Sequence, residues 1–325
     1  MTYLAPIVSV LVTLLSLAFI LSGKFSYKIQ DIPNERSLHS KPVPRMGGVG
    51  LATGLLAGWL LMFDALTWWL LLPLAALFLI SLLDDMRGLP VRVRLSAQLL
   101  AAAILVSGSG FFTEQGVIAA LLLLLLTVWM TNLYNFMDGS NGLAGGMALF
   151  GFGAYGAAAL IAHADTLAML NFSISAAAVG FLYFNFHPAR VFMGDAGSIP
   201  LGFLAVAMGL WGWQQGCWEA WFPLLVFSPF IVDASITLLK RSLRGAKVTE
   251  AHREHYYQRA IQMGWSHRNV ALVEYGLMLG SGALALLALG QAFPVLTFVV
   301  VCGIYGSLML PLDAAWRKFE RGQHA

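Results

Sequence analysis

Eleven runs of mostly apolar residues alternate with short polar breaks along the 325-residue chain, each run close to the roughly 20 residues that a helix needs to cross a bilayer. They extend over 2–22, 46–63, 66–83, 95–110, 116–133, 142–162, 167–184, 197–214, 217–238, 270–290 and 293–312. This pattern predicts an all-α integral membrane protein, a bundle of about eleven transmembrane helices forming one domain over residues 1–325. No soluble domain, low-complexity linker or internal repeat interrupts it. Gly50, Gly54 and Gly58 recur every four residues in the second run, a spacing that lets a neighbouring helix approach closely. The first run has no positive charge before it, and Lys24 and Lys28 follow it. It is therefore expected to stay as a helix and not to be cleaved as a signal peptide.

Composition agrees: 59% of residues are hydrophobic and 11% charged, with a mean hydropathy of +0.76, far from an ordinary soluble domain. Counting loops from an outside N-terminus puts all 19 Lys and Arg on one side. They fall in Lys24 to Arg45, Arg87 to Arg94, Arg190, Lys240 to Arg268 and Arg317 to Arg321. The positive-inside rule makes that side cytoplasmic, with the N-terminus periplasmic and the C-terminus cytoplasmic. The net charge of +3 then reflects topology and gives no reason to propose nucleic-acid binding. Cys217 and Cys302 suggest neither a disulfide framework nor a metal site.

The unusual polar segments share the basic side: "DIPNERSLHSKPVPRMGG" (31–48), "LLDDMRG" (82–88), "NLYNFMDGSNGLAGG" (132–146), "NFHPARVFMGDAGS" (185–198) and "AHREHYYQRAIQMGWSHRN" (251–269). The outside loops carry only Asp64, Glu114, His163, Asp165 and Glu219, scattered singly. Five Gly- and Pro-marked segments on one face predict an assembled site. Asp84 and Asp85 lie where an apolar run meets the membrane surface, where an unpaired charge is costly. They either serve a site or pair with Arg87, Arg92 or Arg94, and adjacent helical residues about 100° apart predict different partners. Asn132, Asn135, Asp138 and Asn141 recur every three residues, a regularity that helix capping alone leaves unexplained. Asp195 stands among glycines before a new span, either as an N-cap or at a helix N-terminus suited to an anion or a metal phosphate. Asp138 and Asp195 would supply the hard oxygen ligands that Mg²⁺ takes. In the last segment His252, His255 and Arg259 share a helical face, suited to phosphate oxygens, to anionic lipid headgroups or, through HxxH, to a metal. Asp233 lies inside the ninth run, as a functional carboxylate or as a helix-to-helix hydrogen-bonding group.

In this order, the segments "RSLHSKPVPRMGG", "DD", "NFMDGSNGLAGG", "FMGDAGS" and the His/Arg loop resemble the polyprenyl-phosphate N-acetylhexosamine-1-phosphate transferases, over nearly the whole chain. The resemblance implies transfer of a sugar 1-phosphate from a UDP-N-acetylhexosamine to undecaprenyl phosphate in the bacterial inner membrane, with release of UMP and with Mg²⁺ or Mn²⁺ as cofactor. It marks Asp84, Asp85, Asp138, Asp195 and His255 as catalytic, with Asp138 and Asp195 on the metal. Lys41, Arg45, Asn132, Asn135, Asn141, Asn185, His252, Arg253 and Arg259 are expected to bind substrate. The sequence departs from the family at Asn141, where many relatives have a second Asp, and in "HYYQR" (255–259), where relatives typically read HIHHR. Tyr257 and Gln258 thus replace two histidines. The variant looks like the O-antigen-initiating branch more than the peptidoglycan branch, the phospho-N-acetylmuramoyl-pentapeptide transferases, whose triple-histidine signature is absent. The oligomeric state stays open, a homodimer included.

One phosphoanhydride replaces another, so the expected task is to bring two polyanions together. A lipid phosphate with a second pKa near 6 is largely ionised at neutral pH, which favours direct in-line attack over a covalent aspartyl intermediate. The competing class is a lipid or nucleotide-sugar transporter. Such proteins usually show internal repeats and polar groups near the midplane, whereas here the polar residues gather at one face.

Overall fold

The computed structural model describes residues 2–23, 29–32, 42–247, 250, 252–292 and 294–323. Lys41 lies outside the described residues. Helix α1 (Ala5–Ser22) leads to a small antiparallel ladder, β1 (Gln30–Asp31) on β2 (Val43–Pro44), pairing Gln30 with Pro44 and Asp31 with Val43. The all-α expectation had no place for this ladder, because two residues per strand leave no readable alternation. Then follow α2 (Gly47–Leu60), α3 (Trp68–Arg87), α4 (Val91–Gly108), α5 (Phe111–Phe136), α6 (Leu143–Ile161), α7 (Asp165–Asn185) and α8 (Asp195–Gln214). The chain continues through α9 (Trp221–Val226), α10 (Ser228–Leu243), α11 (Tyr256–Gln262), α12 (His267–Leu287) and α13 (Val295–Gln323).

Among the described residues nine helices are long and apolar enough to cross a membrane, against the eleven expected. The two differences have local causes. The run at 46–63 yields a helix of only 14 residues, α2. The run at 217–238 is divided between α9 and α10, which restarts with Pro229 in its first turn. Proline has no N–H to donate and its ring clashes with the preceding turn, so a new helix begins there more readily than an old one continues.

Helix α8 forms the axis of the bundle and is buried along nearly all of its length, whereas α13 presents most of its length outward. Exposed leucines and valines, such as Leu15, Val117, Leu122 and Leu296, cover the outer helices. They suit a hydrocarbon surround in which helices satisfy their own backbone groups. The glycine stripe of α2 lies against α1: a Cβ at Gly54 would fall on Thr13 and one at Gly50 on Leu17. Close packing of α1 on α2 carries the start of α2, and with it the "PRMGG" segment, to the N-terminus of α8.

Candidate active site

Helix α8 starts at Asp195 because Gly194, at φ 73°, turns the chain there. A side chain at Gly194 would be strained by that backbone, and its Cβ would lie 2.7 Å from Asp85 Oδ2. The first two amides of α8 are not free for an anion. Asp195 N donates to Asp85 Oδ1 at 3.1 Å and Ala196 N to Asp85 Oδ2 at 2.9 Å, while the amides of Gly197 and Ser198 both reach Gly194 O at 3.1 Å. The expectation of a phosphate-ready helix N-terminus is corrected: the anion bound there is the protein's own Asp85, brought in from α3.

Asp84 points elsewhere, as the angular separation predicts. Its Oδ1 accepts from Leu89 N at 2.5 Å and its Oδ2 from Arg94 Nη1 at 3.0 Å. Arg94, from the first turns of α4, also reaches Asp195 Oδ2 at 3.4 Å. Asp195 Oδ1 accepts from Asn135 Nδ2 at 2.8 Å, and the same amide lies 2.9 Å from Ser198 Oγ. Asn132, one turn earlier on α5, pairs with Gln98 at 2.6 Å. Helix α5 ends at Phe136, and Asp138 N folds back to Asn135 O at 3.1 Å. That turn sets Asp138 near Asp195 and Asp85. Packing around its half-buried carboxyl, and then the charges of Asp195 and Asp85, push the Asp138 pKa well above the ordinary carboxylate value.

The five polar segments are joined by named bonds. Gly47 N and Gly48 N donate to Phe192 O and Met193 O at 2.9 and 2.8 Å, and Phe192 N donates to Pro44 O at 2.8 Å, stitching "PRMGG" to "FMGD". Asn141 Nδ2 meets His187 Nδ1 at 3.1 Å, and Ser140 Oγ meets His267 Nδ1 at 2.9 Å. Tyr257 donates from its hydroxyl to Phe136 O at 3.0 Å. A Cβ at Gly139 would fall on that hydroxyl, so the glycine of "DGSNG" is small because Tyr257 fills the space. A cavity of about 130 Å³ opens beside Asp195, with Arg94, Gln98 and Asn135 on one wall and Leu77 and Ile80 on another.

The His/Arg segment is built on buried pairs. Asp233 of α10 accepts from the amides of Tyr256 and Tyr257 at 2.9 and 3.2 Å, capping α11 as Asp85 caps α8. His255 is buried, its Nδ1 3.4 Å from Asp233 Oδ1, and its ring stacks on Phe136 at 6.2 Å. Burial, then the adjacent His255, lowers the His252 pKa to about 4, so at neutral pH His252 is a neutral hydrogen-bonding group. Two sequence expectations change here. Arg259 is 3% exposed and paired with Asp313 at 3.0 Å, so its guanidinium is spent inside the protein and does not face the cleft. Asn185 uses both ends of its amide on backbone, accepting from Gly142 N at 2.9 Å and donating to Val191 O at 2.8 Å, which makes it a loop brace. Arg45, paired with Asp31 at 3.0 Å and half-exposed beside β1, lies close enough to Asp138 for its charge to act on that carboxyl, and Arg253 stays part-exposed at the start of the segment.

Among the described residues no three His, Cys, Asp or Glu side chains are arranged to hold a metal by themselves. Two carboxylates with lone pairs remain: Asp138, and Asp195 where Arg94 touches it only at 3.4 Å. A pair of carboxylate ligands plus waters and substrate phosphates is the set that Mg²⁺ accepts. Sequence reading did not single out Gln98, Asp313 or Ser198. Ser198 lay inside a quoted motif, whereas Gln98 sits alone in an apolar run and Asp313 stands singly just past the end of another.

An integral membrane bundle with an acidic, amide-rich site at one end defines the class of a membrane-embedded transferase, and comparison with known proteins agrees. The model of glycosyl transferase family 4 matches residues 67–212. The chain is 30% identical over 262 residues to the probable undecaprenyl-phosphate N-acetylglucosaminyl 1-phosphate transferase of Bacillus subtilis, covering 75% of this chain and 73% of that one. It is 30% identical over 288 residues to the decaprenyl-phosphate N-acetylglucosaminephosphotransferase of Mycobacterium tuberculosis, covering 75% and 71%. The phospho-N-acetylmuramoyl-pentapeptide-transferase of Listeria welshimeri is more distant, at 25% over 308 residues, 84% of this chain and 92% of that one. The chain belongs to the polyprenyl-phosphate N-acetylhexosamine-1-phosphate transferases of glycosyl transferase family 4.

Proposed function

We propose that the protein transfers an N-acetylhexosamine 1-phosphate, or a deoxy derivative, from a UDP-sugar to undecaprenyl phosphate, releasing UMP. In this reading the site faces the cytoplasm from the bacterial inner membrane, and the reaction initiates O-antigen or a related cell-envelope polysaccharide. The observation that carries it is the convergence on Asp195 of Asp85 from α3, Arg94 from α4 and Asn135 from α5. The undecaprenyl phosphate in the name of the Bacillus relative supports this reading, since its phosphate headgroup suits the polar lining of the cavity beside Asp195. Arg94 on one wall and Leu77 and Ile80 on the other suit a phosphate carried on a hydrocarbon chain.

An oxygen of the lipid phosphate attacks the sugar-linked phosphorus. The bond from that phosphorus to the bridging oxygen breaks, and UMP leaves with the electron pair. The attacking phosphate, with a second pKa near 6, needs no strong base. Asp138 and Asp195 would hold Mg²⁺ or Mn²⁺, which supplies charge neutralisation of the pyrophosphate when bound. Asn135 fixes the Asp195 carboxylate, and Asp84 aims the Arg94 guanidinium at the same place. Positioning and charge neutralisation are the main catalytic contributions in phosphoryl transfer.

The test is UMP release by detergent-purified protein given undecaprenyl phosphate, Mg²⁺ and a panel of UDP-sugars that includes UDP-N-acetylmuramoyl-pentapeptide. Release with one or two UDP-N-acetylhexosamines is expected, falling by about 100-fold or more in Asp195→Asn. Release with the pentapeptide donor alone would move the protein to the peptidoglycan branch. Folded protein that releases no UMP with any donor would overturn the proposal.

A further inference from the structure

Helix α13 lies beyond the span matched by the family model and is the least buried of the long helices, yet near its end it grips the His/Arg segment. Asp313 accepts from Arg259 Nη1 at 3.0 Å and from the Tyr256 hydroxyl at 3.2 Å, and it also pairs with Lys240. Trp316, three residues later and so on the same helical face, sets its ring 5.6 Å from the Arg259 guanidinium carbon. The Tyr256 ring lies 5.2 Å from the same carbon. Arg259 is almost fully buried, and a buried guanidinium is costly unless a carboxylate pairs with it in good geometry. Glu254, the other acid near it, is 3.9 Å away and already binds Arg241 and Arg244. Asp313 is therefore the close counter-charge of Arg259.

The consequence reaches the acidic cluster through one short helix. Arg259 belongs to α11, which places Tyr257 on the Phe136 carbonyl and against Gly139, next to Asp138. His255, at the entry to α11, stacks on Phe136. Asp313 thus holds α11 from one side while Asp233 caps it from the other. Sliding α11 by a fraction of a turn would take Tyr257 off the Asp138 turn and move the polar groups of residues 252–255.

We propose that Asp313 is a positioning residue for the transfer reaction, fixing α11 so that His255 and Tyr257 stay against the Asp138 turn. This rests on the transferase reading, and two measurements separate its failure from that of the reading. The first is kinetic: Asp313→Asn is expected to raise the KM for the UDP-sugar by about tenfold or more, on the scale of outer-shell substitutions, with kcat much less affected, and Asp313→Glu to restore it. The second needs no activity: amide hydrogen exchange over residues 255–262 is expected to quicken in Asp313→Asn while exchange in α8 is unchanged. Trp316→Leu, which leaves the ion pair intact, gives the same changes at smaller size and serves if Asp313→Asn does not fold. A wild-type KM with unchanged exchange at 255–262 would overturn the proposal. Loss of protection in α8 as well would also overturn it, since Asp313 would then serve the fold as a whole. If the wild-type protein releases no UMP, the transferase reading fails and the exchange measurement still tests the clamp.

Discussion

At the residue scale, the acidic residues divide by what their oxygens already bind. Asp85 and Asp233 spend their carboxylates on the backbone amides that open α8 and α11, whereas Asp195 lines the cleft and Asp138 lies beside it. Asp85→Asn keeps one acceptor and turns the other into a donor facing an N–H. It is expected to cost about 0.5–2 kcal/mol of stability, the range of helix caps, measured by chemical unfolding in detergent. His252 gives a pH signature. Its folded pKa of about 4 is depressed from an unfolded value near 6.5. Its contribution to stability is complete above about pH 6.5 and is lost as pH falls toward 4, because the unfolded chain takes up the proton first. His252→Gln should flatten the fall in unfolding temperature over that window, and an unchanged profile would show that His252 titrates normally.

At the element scale, the turn after α5 and the start of α11 form one packed unit. Gly139→Ala drives a methyl into the Tyr257 hydroxyl, so it should lower both stability and UMP release. Tyr257→Phe, which deletes that hydroxyl and its bond to Phe136 O, should be milder alone and should partly rescue Gly139→Ala. A coupling of about 0.5–3 kcal/mol is typical of contacting residues, and a double variant equal to the sum of the singles would show that the two do not touch. The unit also explains a departure from the family pattern: where relatives typically carry a histidine at position 257, this chain has a tyrosine whose ring and hydroxyl brace the Asp138 turn.

At the scale of the whole molecule, the acidic cluster sits where the buried axis of the bundle, α8, meets chain brought in from α2, α3, α5 and the α10–α11 connection. So many carboxylates in one place repel each other, and this repulsion adds to burial, the larger cause, in raising the pKa of Asp138. A divalent cation with the substrate pyrophosphate would relieve it. Treatment with EDTA is expected to abolish UMP release, and Mg²⁺ or Mn²⁺ to restore it. Activity that survives thorough chelation would exclude the metal assignment.

The membrane class, the approximate place of every long helix and the five polar segments were legible in the chain itself. Apolar runs of about 20 residues and clusters such as "FMGDAGS" are local signals, set by neighbours in sequence. What tertiary structure decided is which polar groups are used up inside the protein. The carboxylate of Asp85 reads as free until the amides of α8 arrive at its oxygens, and Arg259 reads like a phosphate ligand until Asp313 arrives 54 residues later in the chain. Burial and pairing depend on what lies opposite in space, and no spacing along one strand of chain encodes that. The break of the 217–238 run lay between these cases: Pro229 was visible, but whether the chain bends or straightens there depends on the helices packed around it.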